Sequence, residues 1–287
     1  MSTSGDLKAY CRPAWLRLVA RRGRENLAVW AGWLRRASLG RSRPHRWYRP
    51  SRIAVSAAIV LAGLTLVLMS LDAWAIRAAL ASPPGVRALF EVVTDFGRSG
   101  WILWPVGIVL LGIGLVTGPS LGRLGAAVMA SLALRLTFIF AAIAVPGLFT
   151  AIVKRLIGRA RPLVEGGVDP FRYDPFVWKA AYASLPSGHT TTAFSAAVAI
   201  GALWPQTRPY VWVYAVLIAI SRVAVTAHHP SDVLVGAVVG TIGALLIRDW
   251  FANRRLVFAV DVTGRIRRLP GPSWDRIKTV VRRLGGA

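Results

Sequence analysis

The sequence predicts an all-α polytopic membrane protein, with six transmembrane helices and an interfacial helix between the first two. Three observations predict it. Apolar residues make up 55% of the 287-residue chain and gather in long runs, which gives a mean hydropathy of +0.51. Basic residues number 36 against 12 acidic ones, a net charge of +24, and they collect toward the two ends. Six apolar stretches each approach the roughly 20 residues that a helix needs to cross hydrocarbon. Soluble globular domains rarely join high hydropathy to such a charge, whereas apolar spans with basic flanks do so routinely. Nucleic-acid binding is the other standard reading of the charge; positive-inside flanks already account for the excess, so no nucleic-acid partner is expected. The one cysteine, Cys11, excludes an intramolecular disulfide framework.

Residues 1–52 form the first expected unit, a basic cytoplasmic segment. Leu27, Trp30 and Leu34 recur at helical spacing among its arginines, as in a basic amphipathic helix on an anionic leaflet; a solvated tail is the alternative. No apolar core follows the early charges before Ile53, so the first span is expected to act as an uncleaved anchor.

A six-helix domain is expected over residues 53–252, with spans near 53–71, 101–117, 136–153, 189–204, 209–227 and 232–251. The third is ambiguous, because its apolar pattern already begins at Leu124 and would make a helix of about 45 Å. Arg135 interrupts that run and reads as a snorkelling residue at the cytoplasmic end of a span starting at Leu136, with a functional intramembrane charge as the alternative. Pro146 is expected to kink this span. Between the first two spans, Pro83-Pro84 precedes a helical stripe of Val86, Leu89, Phe90 and Val93, which fits an interfacial helix beside the active face or ordinary core packing. Residues 253–287 form a basic tail with a short strand (LVFAVDV) and a basic helix from Trp274.

The basic N-terminus places that end in the cytoplasm. Counting spans then sends the loops after the first, third and fifth helices outward and returns the C-terminus inside. Lys154, Arg155, Arg159 and Arg161 fall on the outer side, against the orientation rule, and need another reason to be there.

Three polar clusters share that outer face. The first runs from Lys154 to Pro162 (KRLIGRARP). In a helix Lys154 and Arg161 would share a face about 10.5 Å apart along the axis and could converge on one anion; Gly158 weakens that helix and Pro162 ends it. The second is LPSGHTTTAF, from Leu185 to Phe194, a helix start whose free N–H groups favour a phosphate. Gly188 permits close approach, Ser187 can donate a hydrogen bond and His189 can carry a proton. The third runs from Ser221 to Asp232 (SRVAVTAHHPSD). If its first part is helical, Ser221 and His228 lie on nearly one face, with Arg222 one step around. A His with an Asp four residues on supplies a nucleophilic nitrogen and the anion that orients it, and Arg222 adds a fork for an oxyanion. With His189, the same residues could instead ligate a metal, but Lys154, Arg161 and Arg222 make a divalent cation unwelcome and an anion welcome. No metal and no cofactor are therefore expected.

These residues resemble the type 2 phosphatidic acid phosphatase family, in its membrane lipid phosphatase branch. The family pattern is KxxxxxxRP, then PSGH, then SRxxxxxHxxxD. It is matched by Lys154 with Arg161-Pro162, by Pro186-Ser187-Gly188-His189, and by Ser221-Arg222 with His228 and Asp232. The likeness covers the six-helix region and not the two ends. It implies that His228 attacks phosphorus while Asp232 holds its other ring nitrogen, and that His189 serves as acid and then base. It further implies that Lys154, Arg161, Arg222, Ser187 and the Gly188 amide hold the phosphoryl oxygens. His229 is the alternative nucleophile by adjacency, and the family spacing selects His228. Arg155, Arg159 and Tyr182 lie near enough to touch a head group and receive no role.

The resulting expectation is a hydrolase of the bacterial inner membrane, active on its periplasmic face with both termini cytoplasmic. Its partners would be the bilayer and a phosphorylated lipid: a polyprenyl diphosphate, phosphatidic acid, phosphatidylglycerol phosphate or a lipid A phosphate. A lipid-to-lipid phosphotransferase and a non-catalytic lipid-binding scaffold are the rival readings. Nothing in the sequence speaks to oligomeric state.

Overall fold

The computed structural model describes residues 50–116 and 122–285, with isolated positions between 20 and 28. The amphipathic helix expected around Leu27, Trp30 and Leu34 lies outside those residues. The first described helix, α1 (Pro50–Ser70), is followed at a 49° bend by α2 (Asp72–Leu80). Pro84 then takes the first position of α3 (Pro84–Asp95), where its missing N–H is no loss. A short turn leads to α4 (Gly100–Val116), and α5 (Gly122–Ile157) runs unbroken for 36 residues, about 54 Å. After a long loop come α6 (Gly188–Leu203), α7 (Arg208–Ala224) and α8 (Pro230–Asn253). The antiparallel strands β1 (Phe258–Val260) and β2 (Ile266–Arg268) and a final helix α9 (Trp274–Gly285) complete the order.

The chain is therefore a mostly helical membrane protein. Among the described residues, three helical runs are long and apolar enough to cross a membrane, at Pro84–Leu115 (α3 with α4), Gly122–Ile157 and Pro230–Asn253, and the bent α1–α2 pair makes a fourth if it counts as one span. At 16 and 17 residues, α6 and α7 reach only about 24 and 26 Å. Outward-facing side chains such as Ile108, Leu148 and Val213 are apolar and exposed, as a lipid-facing surface requires.

Small residues put α6 at the centre. Ala193, Ala196, Ala197 and Ala199 are all buried, which lets α5, α7 and α8 close around it. On α8, Gly236 and Gly240 are four apart, the spacing that brings two helix backbones together. A β-carbon at Gly236 would stand 2.6 Å from the Ser187 carbonyl oxygen, and one at Gly240 would stand 2.4 Å from that of Thr191. Pro146, expected to kink α5, lies inside the continuous helix and nests on Gly243, where a β-carbon would meet its ring at 2.5 Å.

The main apolar core joins Phe138 and Ile143 of α5, Ala199 and Leu203 of α6, and Phe251 of α8 to Val257 and Phe258 of the tail. The Phe138 ring meets Phe258 edge-on at 4.9 Å and Phe251 at 5.4 Å. The expected strand and the helix at Trp274 are both present, and the strand is packed into the core.

One expectation is corrected in this region, and another divides between the two alternatives the sequence left open. The helix bearing Arg135 begins at Gly122 and not at Leu136, so Arg135 lies within it and not at its end. Its charge is satisfied by the tail: Arg135 donates to the carbonyls of Leu269 (3.0 Å) and Pro270 (2.9 Å) as well as to Ser131. The stripe on α3 divides: Val93 packs with Ala193, Ala197 and Ile218, whereas Leu89 is 61% exposed.

Candidate active site

The loop after α5 brings the first cluster to the site by leaving the helix. Gly158 takes φ +66°, its N–H closes on the Lys154 carbonyl at 3.1 Å, and the helix stops. From there the chain runs extended and pairs with the segments that follow. Ala160 N–H donates to Arg172 (3.0 Å), Arg161 N–H to Ala181 (2.7 Å), and Ser184 N–H to the Arg159 carbonyl (3.1 Å). Lys154 and Arg161 thus do not share a helical face, as the spacing had suggested; Gly158 separates them into a helix end and a strand-like segment.

The third cluster departs from its expected form in the same way. α7 ends at Ala224, Thr226 takes φ +53°, and the N–H groups of Ala227 and His228 both fold back onto the Arg222 carbonyl at 3.1 and 3.2 Å. His228 therefore sits in a turn, and its nearness to Arg222 comes from that turn and not from a common helical face. His229 is the N-cap of α8 and Pro230 its first residue. The second cluster is tied to this turn directly, since Ser187 N–H donates to the Asp232 carbonyl at 3.0 Å.

The two imidazoles share one carboxylate. His228 Nδ1 lies 3.6 Å from Asp232 Oδ2, and His229 Nδ1 lies 3.5 Å from the same oxygen. Between His228 and Asp232 stands Ser184, which donates to Oδ2 at 2.6 Å and has its Oγ 3.4 Å from His228 Nδ1. With Nδ1 turned to that pair, Nε2 is the nitrogen left for a ligand. Burial pushes the His228 pKa down to about 4, against the pull of Asp232, so the ring is neutral and its lone pair free at neutral pH.

Cations surround the open side. The positive charges of Arg222 and Arg161 both act on His228. Each of these arginines has a buried Nε with no hydrogen-bond partner among the described residues, an expensive arrangement unless an oxyanion takes it up. Arg222 is steadied by a bond to Thr94 Oγ1 of α3. Ser187 is buried, and its Oγ accepts from Thr190 at 3.0 Å, which leaves its own proton to donate. At Gly188 an added β-carbon would meet nothing within 4 Å, so the helix start faces open space.

That space is a cavity of about 460 Å³, lined by the polar Lys154, His189 and Arg98 and by the apolar Leu103, Ile143 and Leu148 among others. The turn between α3 and α4 covers His189 closely, for a β-carbon at Gly97 would lie 3.0 Å from its ring.

Of the eight residues singled out in the sequence, Lys154, Gly188 and His189 line this cavity, Ser187, Arg222, His228 and Asp232 sit at the helix ends and turn beside it, and the charge of Arg161 acts on both His189 and His228. Four others were not singled out, Ser184, Thr94, Ser231 and Asp72, and Arg159, read as near enough to touch a head group, instead turns inward. Arg159 is fully buried and bonds Asp232 Oδ1 at 2.7 Å, Asp72 Oδ2 at 2.7 Å and Ser231 Oγ at 2.6 Å. Its position against the orientation rule was the one available signal. The remaining basic residue of that group, Arg155, stacks its guanidinium 5.2 Å from the Trp178 ring.

Fold and cleft together define a helical membrane protein that sets two buried, unpartnered guanidinium nitrogens, Nε of Arg161 and Nε of Arg222, beside a neutral histidine. Comparison with known proteins gives that class its family. The chain belongs to the PAP2 superfamily, in its membrane lipid phosphatase branch, and the family model matches residues 135–256. It is 31% identical over 243 residues to the lipid A 1-phosphatase of Rhizobium johnstonii, a match covering 83% of this chain and 95% of that protein. To the decaprenylphosphoryl-5-phosphoribose phosphatase of Mycobacterium tuberculosis it is 30% identical over 178 residues, covering 60% of this chain and 85% of that one. Among solved structures, a transmembrane PAP2 type phosphatidylglycerolphosphate phosphatase from Bacillus subtilis superposes with a TM-score of 0.46 at 20% identity, over 67% of this chain and 94% of that chain.

Proposed function

We propose that this protein is a metal-independent lipid phosphatase that works through a phosphohistidine on His228. The observation that carries the proposal is the pair of buried, unpartnered guanidinium nitrogens of Arg161 and Arg222 beside a neutral imidazole. In the first step His228 Nε2 forms a bond to phosphorus as the bond to the lipid's oxygen breaks, and His189 gives that oxygen a proton. In the second, His189 takes a proton from water, the water oxygen bonds to phosphorus, and the P–N bond breaks to release inorganic phosphate. Asp232, through Nδ1, stabilises the cationic ring between the steps. Lys154, Arg161, Arg222, Ser187 and the Gly188 N–H hold the phosphoryl oxygens, where charge concentrates in the transition state.

The substrate class we favour is a phosphate carried on the sugar of a glycolipid, with lipid A first. Both curated relatives act, by their names, on phosphates of lipid A or of a polyprenyl-linked ribose. The apolar lining of the cavity that holds Lys154 and His189 suits a lipid. We further propose six spans over residues 53–252, with α6 and α7 crossing as short helices and α2 and α3 near the interface. Both termini then lie in the cytoplasm, and the cleft opens on the periplasmic face of a bacterial inner membrane. The basic segments 1–52 and 253–287 support that orientation.

The experiment is phosphate release by purified protein in detergent with EDTA, from lipid A, phosphatidic acid, phosphatidylglycerol phosphate and undecaprenyl diphosphate, beside His228→Ala. Release from lipid A that survives EDTA and vanishes in the variant is the expected result. Activity that persists in His228→Ala, or needs an added metal, would sink the mechanism.

A further inference from the structure

The nucleophile's carboxylate is itself held by a charge that comes from elsewhere in the chain. Arg159 lies at the centre, with no exposed surface, and each arm of its fork has a fixed partner. Nε donates to the Pro170 carbonyl at 3.0 Å, Nη1 to Ser231 Oγ (2.6 Å) and Asp232 Oδ1 (2.7 Å), and Nη2 to Asp72 Oδ2 (2.7 Å). Asp72, also with no exposed surface, opens α2; its Oδ1 accepts from Ser231 N–H at 2.9 Å and its Oδ2 from Ser231 Oγ at 2.6 Å. Asp232 is then bound on both sides, Oδ1 by Arg159 and Oδ2 by Ser184 and the His229 N–H. Burial alone would disfavour the Arg159 charge, and the carboxylates of Asp232 and Asp72 more than offset it and raise its pKa.

We propose that Arg159 and Asp72 are positioning residues of the catalytic histidine: they lock the carboxylate plane of Asp232 and set the net charge that His228 feels as it becomes cationic. This rests on the phosphohistidine reading above. One guanidinium between two carboxylates leaves a net charge of minus one behind the imidazole, on the side away from the phosphate. A single arginine paired with Asp232 alone would leave none, so Asp72 is the residue that keeps Asp232 an effective anion. A packing role alone would not call for two buried carboxylates on one cation, since replacing buried ion pairs by apolar groups is often neutral for stability.

Around His228 the other charged or titratable groups are Arg161 from the loop after α5, Arg222 from α7, His189 from α6, and His229 and Asp232 at the start of α8. Asp72→Asn changes none of them and keeps the shape of the side chain. It removes one negative charge, so the imidazolium and the phosphorylated ring both become less favourable.

The test compares wild type, Asp72→Asn, Arg159→Lys, Arg159→Ala and His228→Ala in detergent, with lipid A and phosphatidic acid micelles as substrates and a thermal melt of each protein. For folded Asp72→Asn we expect KM within about twofold of wild type and kcat lower on the order of tenfold, the rate equivalent of one pK unit. The acid limb of its pH profile should move to lower pH. Arg159→Lys keeps the charge and loses the fork; its kcat should fall between those of Arg159→Ala and wild type, with the acid limb in the wild-type place. Should Arg159→Ala fail to fold, Arg159→Lys is compared with wild type alone. A folded Asp72→Asn with wild-type kcat and acid limb overturns the proposal. So does a kcat that drops in step with melting temperature while the limb stays put, because that is what a purely structural residue would do. If wild type releases phosphate from neither lipid, the phosphatase reading has failed on its own. The pH dependence of His228 modification by diethyl pyrocarbonate, read by mass spectrometry, then carries the same comparison: movement to lower pH in Asp72→Asn supports the positioning role and no movement overturns it.

Discussion

His228 is neutral because it is buried, and for the proposed nucleophile that has a measurable consequence. An unperturbed histidine loses half its neutral form near pH 6.5. With its pKa lowered to about 4, His228 stays unprotonated through the mildly acidic range, and the dependence of kcat/KM on this group should fall only as pH drops through about 4. The substrate's own second ionisation, near about pH 6, is separated by following its phosphorus NMR shift. A limb at pH 6.5 that does not follow the substrate would contradict the burial argument. Ser184 is the second residue to probe, since it stands between His228 and Asp232. Ser184→Ala leaves Asp232 Oδ2 with the His229 N–H only, and kcat is expected to fall on the order of tenfold with KM little changed. Arg159→Ala should also unsettle the fold, by about 3–5 kcal/mol, because two buried carboxylates would lose their cation. A chemical-denaturation midpoint in detergent would read that loss.

Among the elements, the approach of α6 to α8 shapes the candidate site, because Ser187 caps one helix and Asp232 lies in the first turn of the other. At Gly240 an added β-carbon would stand 2.4 Å from the Thr191 carbonyl oxygen of α6. Gly240→Val would drive a side chain into the Thr191 carbonyl, so a loss of at least about 1–3 kcal/mol is expected from overpacking, with kcat reduced as the two helix starts separate. Gly158→Ala tests the other approach: its β-carbon would fall 1.8 Å from the Asp174 carbonyl oxygen, at a φ that alanine disfavours. The loop carrying Arg159 and Arg161 must then move, and both KM and kcat should suffer. An Ala variant with wild-type kinetics would show that the loop's path does not matter. The three clusters were legible in the sequence because each is a short run of polar residues against an apolar background. The way they meet was not: the spacing from Lys154 to Arg161 allowed a helical face, and only the positive φ at Gly158, paid for by backbone pairing with residues 172–184, excludes it. Likewise the spacing from Ser221 to His228 suggested a nearly common face at the end of a span, whereas that helix ends at Ala224 and the turn at Thr226 places His228.

For the molecule as a whole, the tail is part of the core. Phe258 is 2% exposed and stacks edge-on against Phe138, so Phe258→Ala should destabilise by about 3–5 kcal/mol, read as a lowered melting temperature in detergent. Sequence patterning showed a strand and a basic helix there and could not show where they dock, since docking depends on Phe138 and Arg135, more than a hundred residues earlier. Asp72 was hidden for the same reason. An acidic residue just past an apolar run reads as an ordinary span end until its partners, Arg159 and Ser231, are placed beside it.

Those partners also fix an order of events during synthesis. Asp72 emerges 159 residues before Ser231, and Arg159 emerges 73 before Asp232, so each waits while the intervening helices are made. His228, Asp232 and the second half of the buried charge cluster all arrive together, with the last long helix. On the proposed mechanism, a nascent chain therefore holds most of its apolar helices before it has a nucleophile, and the candidate site is assembled only when translation has reached the start of α8.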